Sequence, residues 1–253
     1  MSKILEGKVA LITGGSRGLG AAIAEAFADQ GADVAISYAA SADKAKAVVE
    51  KLKAKGIRAI AVKSDQADLS TAKILIDAVI AEFGRLDILV NNAGIAIQGH
   101  MVDDPELDGE KYNRQWHVNV LGTIANTRAA APKLSDSGRI IFIGSLLGSY
   151  VPFAGVADYA GTKWALAGYA KGIARELGGR NITVNVVQPG IMPTDMASDV
   201  AGELPNREAI LDMHPIRRIA TLEEVAATVC FLAGPHAGYI TGEQVNVAGG
   251  LST

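Results

Sequence analysis

The chain has 253 residues, 49% of them hydrophobic, enough for one large domain with a sizeable core. The formal net charge is −3, no basic run occurs, and aromatics make up 5%, which excludes an ordinary nucleic-acid-binding surface. The single cysteine, Cys230, permits no intrachain disulfide, no apolar run is long enough to span a bilayer, and the first residues lack a signal-peptide core, so a cytoplasmic protein is expected.

Residues 8–13 (KVALIT) form a short apolar run that predicts a buried parallel strand. The glycine turn 14–20 follows, and an alanine-rich segment with helical periodicity runs to residue 30. Strand, glycine turn and helix in that order let a phosphate rest on backbone N–H groups at the helix N-terminus. The spacing is T-G-x-x-x-G-x-G, from Thr13, Gly14, Gly18 and Gly20. Strands are predicted at 33–38, 58–63 and 86–91, alternating with helices over 43–55 and 70–83, the last closed by Gly84. Such alternation points to a parallel sheet covered on both faces, with right-handed crossovers.

A loop at 95–110 carries Asp103, Asp104, Glu106, Asp108 and Glu110, read as a solvated loop and helix start. One long helix is predicted over 109–134, then strands at 139–144 and 181–187, separated by a helix over 156–177. A mixed segment at 191–220, a helix over 221–233 capped by Thr221, and a last strand at 244–247 complete a single domain spanning 1–253. The expected architecture is α/β, a doubly wound sheet with ligands at the C-terminal strand ends.

Within the helix over 156–177, Tyr159 and Lys163 stand one helical turn apart on one face. The ammonium is expected to favour the ionised phenol and bring its pKa down from about 10 towards neutrality, as a proton donor and acceptor requires. His100, His117, His214 and His236 are scattered without metal-ligand spacing, and no metal is expected.

The turn Thr13-Gly14-x-x-x-Gly18-x-Gly20, the run Asn91-Asn92-Ala93-Gly94, then Asn119, Ser145, Tyr159-x-x-x-Lys163 and Pro189-Gly190-x-x-x-Thr194 together resemble the short-chain dehydrogenases/reductases. Bacterial 3-oxoacyl-carrier-protein reductase-like carbonyl reductases look most similar. The resemblance spans the chain and implies a Rossmann-like fold of seven parallel strands, with reversible hydride transfer between a nicotinamide cofactor and a carbonyl or alcohol. It implies Tyr159 as general acid and base, Ser145 as the hydroxyl that polarises the carbonyl oxygen, and Lys163 as ribose ligand and tuner of the tyrosine. Asn119 is implied to hold a water on a proton path. Gly14, Ser16, Arg17, Gly18, Leu19, Gly20, Asp65, Gln66, Asn92, Ala93, Gly94, Pro189, Gly190, Met192 and Thr194 are implied to line the cofactor, Asn91 shaping the pocket beneath it. Four features depart from the pattern or leave it loose: among them, Ala248 stands where an acid is common, and Asn119 can also serve as a helix-kink residue. Gln66 stands where an aliphatic is usual, its contact being expected through the backbone, and Ser149 is a hydroxyl competing with Ser145.

The end of the second strand, Ser37-Tyr38-Ala39-Ala40-Ser41, carries no acid to take a ribose 2′-hydroxyl. A carboxylate there would repel a 2′-phosphate. Its absence, with the cation of Arg17 and the hydroxyls of Ser37 and Ser41, predicts NADP(H). Ser145, Leu146, Leu147, Tyr150, Val151, Phe153, Met192, Met196, Leu211 and Met213 are expected to supply an apolar pocket for an uncharged ketone, with 191–213 as a lid. Small residues on the helix over 156–177 (Ala157, Ala160, Gly161, Ala165, Gly168, Gly172), beside Trp164, suggest close helix packing between subunits in a homotetramer, or else a dimer. Two other readings stay open: a non-catalytic sensor binding a cyclic dinucleotide, and a reductase of 3-oxoacyl thioesters docking its carrier at Arg217 and Arg218.

Overall fold

A computed structural model describes residues 3–194 and 207–253. Seven parallel strands form one sheet in the order β3-β2-β1-β4-β5-β6-β7. They are β1 (Val9–Ile12), β2 (Asp33–Tyr38), β3 (Ala59–Lys63), β4 (Leu86–Asn91), β5 (Leu134–Ile143), β6 (Thr183–Pro189) and β7 (Gln244–Val247). The helices are α1 (Gly18–Asp29), α2 (Ala42–Ala54), α3 (Thr71–Phe83), α4 (Gly109–Trp116), α5 (Thr123–Ala130), α6 (Ala157–Leu177), α7 (Arg207–Asp212) and α8 (Leu222–Ala233). Among the described residues no helix is long and apolar enough to cross a membrane.

The strand period of two residues divides the core into two layers. Ala10, Ile12, Ile88, Val90, Ile141 and Ile143 face the layer of α1, α2 and α8, whereas Val9, Leu11, Leu89, Ile140 and Phe142 face that of α3, α5 and α6. Both faces are covered, so the central strands read as unbroken apolar runs. The order of strand addition reverses about β1: β2 and β3 lie on one side of it, and β4 to β7 on the other. The loops after β1 and β4 therefore diverge and leave a crevice at the C-terminal strand ends.

Two elements differ from expectation. The single helix expected over 109–134 is three segments: α4, a π-helical stretch at His117–Gly122, and α5. Its end is strand, since β5 already begins at Leu134, paired with Leu86. The register then shifts before Ile88 pairs with Arg139, across a turn where Ser137 has φ 60°. Hydrophobic periodicity alone cannot see a π step, because one inserted residue only rotates the apolar stripe.

Candidate active site

The crevice is built first from backbone. Gly14, at φ 66°, turns the chain after β1, and a Cβ on it would lie 2.9 Å from the Cα of Ala93. A Cβ on Gly15 would strike Ile36 Cγ2 at 2.5 Å, and one on Gly20 would strike the Gly14 carbonyl at 2.5 Å. Only glycine permits the tight turn and the close seating of α1. Exposed Arg17 is the N-cap of α1 and offers no side-chain cap, which leaves the helix start for a phosphate. Gly18, at φ 54°, faces Thr194, whose Cγ2 would be 3.7 Å from a Cβ there. This side-chain-free cradle at a helix N-terminus fits the pyrophosphate of a dinucleotide.

The turn is braced from two sides. Thr13 Oγ1 accepts from Asn92 N and Ala93 N, both at 3.0 Å, and Asn92 Nδ2 donates to the Thr13 and Gly14 carbonyls at 2.8 and 3.2 Å. Asn92 thus holds the glycine turn rather than offering its amide to a ligand. Buried Ser37 acts alike: its hydroxyl accepts from Gly14 N at 3.3 Å, and its carbonyl from Gly15 N at 3.0 Å. Ser37 therefore braces the glycine turn. Ser41 makes no side-chain cap on α2, and Tyr38 is half-buried beside it. Asn91, expected beneath the cofactor, instead donates from Nδ2 to Thr127 Oγ1 at 3.0 Å, towards α5.

Asp65, expected to meet the adenine, accepts from Ala67 N at 3.0 Å and pairs with Arg114 at 3.0 Å. The Ala67 N–H and the Arg114 guanidinium hold its carboxyl below the usual range. Leu19 is buried in the α1 core layer, so any part it plays in binding is through its backbone. At the other end, Gly190 approaches Ala248 so closely that a Cβ would lie 2.9 Å from the Ala248 Cα, and Gly190 N donates to the Val247 carbonyl. Pro189 ends β6, Met192 packs half-buried against the α1 layer, and Thr194 N bonds the Met192 carbonyl at 3.0 Å.

Ser145, Tyr159 and Lys163 come together above β5. Ser145 follows the strand and opens a 3-10 turn, its hydroxyl oxygen accepting from Leu147 N at 3.2 Å, and it stands near enough to the Tyr159 phenol to favour its ionised form. Ser149 is engaged elsewhere, donating to the Leu146 carbonyl or to Gln188 Oε1, at 3.2 and 3.1 Å. Lys163 Nζ donates to the Ile143 carbonyl at 3.0 Å and lies 5.7 Å from the centre of the Tyr159 ring. Asn119, in the π segment, accepts from Ile95 N at 2.9 Å and donates to the Ile95 carbonyl and Thr162 Oγ1 at 2.9 and 3.1 Å. A Cβ on Gly94 would meet Asn119 Oδ1 at 3.2 Å and Lys163 Nζ at 3.4 Å, so these two groups converge on one point.

One electrostatic expectation is reversed. Burial pushes the Tyr159 phenol up to about 12, opposed only by the Ser145 hydrogen bond, and pushes the Lys163 ammonium down to about 8. Tyr159 is 7% and Lys163 4% exposed, so loss of water penalises the charge on each. In the protein without ligand Tyr159 is a protonated donor, not a poised base.

The expected apolar wall is partly core. Leu146 is buried with Ala248 and Leu251, whereas Leu147, Tyr150 and Phe153 stay partly open. Met196, and much of the expected lid, fall outside the described residues. Two contacts had no signal in sequence: Gly99 N donates to the Gly155 carbonyl at 2.8 Å, joining the loops after β4 and before α6, and buried Gln115 accepts from Ile97 N. Gln115 reads in sequence as polar helix surface.

A doubly wound α/β protein, with a phosphate cradle after β1 and a Ser–Tyr–Lys set after β5, defines a dinucleotide-dependent oxidoreductase class. A model of the family described as enoyl-(acyl carrier protein) reductase matches residues 14–252, and the chain belongs to this group of the short-chain dehydrogenases/reductases. It is 40% identical to 3-oxoacyl-(acyl-carrier-protein) reductase FabG of Staphylococcus aureus (strain N315), over 96% of this chain and 98% of that one. It is 42% identical to the cyclic-di-GMP-binding biofilm dispersal mediator protein of Escherichia coli (strain K12), over 96% of each. A short chain dehydrogenase from Burkholderia cenocepacia J2315, solved in complex with NADP, superposes with TM-score 0.92 at 43% identity, over 99% of this chain and all of that one.

Proposed function

We propose that this protein is an NADPH-dependent reductase of a small, uncharged ketone, with Tyr159 as proton donor. The observation that carries the reading is the convergence of Ser145, Tyr159 and Lys163 above β5, within reach of the loop that Asn119 fixes. When bound, NADPH supplies the hydride. The chain's own part follows from the geometry. The Ser145 hydroxyl and the Tyr159 phenol donate to the carbonyl oxygen as negative charge develops, and the phenol then gives up its proton. A protonated phenol is the form reduction needs. Lys163 holds the ribose and carries a positive charge beside the phenolate as it forms.

The phosphate preference is supported by the end of β2, where no carboxylate stands between Ser37 and Ser41, and by exposed Arg17 at the α1 start. Arg17→Ala is expected to raise KM for NADPH by roughly tenfold, the worth of a charge-assisted hydrogen bond, with KM for NADH changed much less. Equal losses with both nucleotides would sink that assignment.

A small ketone is favoured over a carrier-bound thioester because the candidate docking cations are taken. Arg218 makes two bonds to the Glu224 carboxylate, at 2.6 and 2.8 Å, and Arg217 pairs with Asp212. The rest of the assignment is a cytoplasmic homotetramer, or else a dimer. Gly161 is already filled by the Trp116 ring, 3.2 Å from its would-be Cβ, but Gly168 and Gly172 face open space and Trp164 is half-exposed, as a helix-packing surface requires. Sedimentation as a stable monomer would remove the assembly. The decisive test of function is NADPH oxidation at 340 nm with a ketone panel. Turnover is expected with small apolar ketones. Cyclic-di-GMP binding with no turnover would favour the sensor reading instead.

A further inference from the structure

The side chain of Gln66 ties together three separated segments around the active site. Its Nε2 donates to the Val118 carbonyl at 2.7 Å, to the Ala93 carbonyl at 3.2 Å and to Thr123 Oγ1 at 3.2 Å. Its Oε1 accepts from Asn126 Nδ2 at 3.0 Å. Two of the Nε2 partners are backbone carbonyls, which only accept, so the amide orientation is fixed by chemistry. The side chain is 7% exposed, so each of these bonds is made away from water.

These partners are the immediate neighbours of residues that matter. Val118 precedes Asn119, and Ala93 precedes Gly94. Val118 also lies inside the π-helical stretch His117–Gly122. A side chain inserted into a helical ladder, like a π step, is a recognised source of a break in helix regularity. Gly122 completes the fit, because a Cβ there would lie 1.9 Å from the Gln66 carbonyl oxygen and 2.5 Å from its Cγ. Asn119 in turn grips Ile95 through both backbone groups, and the Gly94 position touches both Asn119 Oδ1 and Lys163 Nζ.

We propose that Gln66 is a positioning residue: its carboxamide sets the π step at 117–122 and the Ala93–Ile95 loop together, and so fixes Asn119 and Gly94 against Lys163. This rests on the reductase reading for its kinetic consequence but not for its structural one. Gln66→Met keeps the side-chain length and removes every one of these bonds. It is expected to lower kcat by roughly tenfold to a hundredfold, the scale of a sub-ångström to ångström misplacement, with KM for NADPH changed by less than about threefold. It is also expected to shift the pH profile of kcat, since Asn119 and Lys163 lose register, whereas a structural lesion alone lowers activity at every pH alike.

Hydrogen exchange supplies an arm that needs no turnover. In Gln66→Met, peptides covering 93–97 and 115–124 are expected to exchange faster, while those covering β1 and β2 do not. If wild type turns over no ketone, the reductase reading fails while exchange still tests the brace. Unchanged exchange at 93–97 and 115–124, or an unchanged pH profile with wild-type kcat, overturns the proposal. Should Gln66→Met not fold, Asn126→Ala retains the Nε2 bonds and removes only the bond that anchors Oε1. It must then show the same local exchange at smaller amplitude, and wild-type exchange there overturns the proposal equally.

Discussion

Replacing Tyr159 by phenylalanine is expected to reduce kcat for ketone reduction on the order of 10³-fold, while the protein stays folded and binds NADPH normally. Only the hydroxyl is lost, from a ring that is almost wholly buried. The neighbouring Ser145 oxygen still accepts from Leu147 N in the variant, so no buried partner is stripped of all its bonds. The thermal midpoint should therefore move by no more than a few degrees. Loss of turnover with unchanged melting and unchanged nucleotide binding locates the defect in proton donation. A variant within a few-fold of wild type would remove Tyr159 from the chemistry.

The same group sets how the two reaction directions depend on pH. With its phenol near 12, Tyr159 stays protonated from acid to beyond pH 10, so the donor for reduction is present throughout the working range. Alcohol oxidation needs the phenolate and should rise with pH instead. On the proposed mechanism, reduction is expected to fall from the alkaline side as Lys163, its ammonium pushed down to about 8 by burial, loses its proton.

Much of this was legible in the sequence because it depends on local pattern. The glycine turn, the strand-end motifs and the Tyr159–Lys163 spacing each follow from short-range rules, and the parallel sheet follows from their alternation. What was not legible depends on groups distant in sequence. Nothing near Gln66 indicates that its amide reaches Val118, 52 residues on, or that Gly122 exists to make room for it. Asn91 and Asn92 look equivalent in the chain, yet adjacent residues of a strand end point to opposite faces. One therefore turns to α5 and the other to the glycine turn. The reversed shift of Tyr159 has the same origin. Spacing reveals that a cation is near, but only burial reveals that both charges have lost their water.

Lys163→Met is expected to trade activity for stability. In the folded protein the lysine is depressed to about 8, against an unfolded value near 10.4. A buried ammonium that would sooner be neutral is a cost to folding, present in full below about pH 8 and relieved as pH rises towards the unfolded value. Between those limits the unfolded chain binds more protons than the native one, so wild-type stability climbs with pH. Methionine has a similar volume and no charge. It forgoes the bond to the Ile143 carbonyl, a loss of about 1 kcal/mol, but escapes a desolvation cost on the order of 3 kcal/mol. Ligand-free Lys163→Met should accordingly be more stable than wild type at pH 7, by roughly 2 kcal/mol, with the gap closing by about pH 10. Its kcat/KM should fall on the order of 10²-fold, because the ribose ligand and the charge beside the forming phenolate vanish together. Urea denaturation at several pH values reads the first effect and steady-state kinetics the second. A variant less stable than wild type at pH 7 would mean that the Ile143 bond and the neighbouring dipoles already compensate the buried ammonium. Lys163 would then be part of the scaffold as well as of the site.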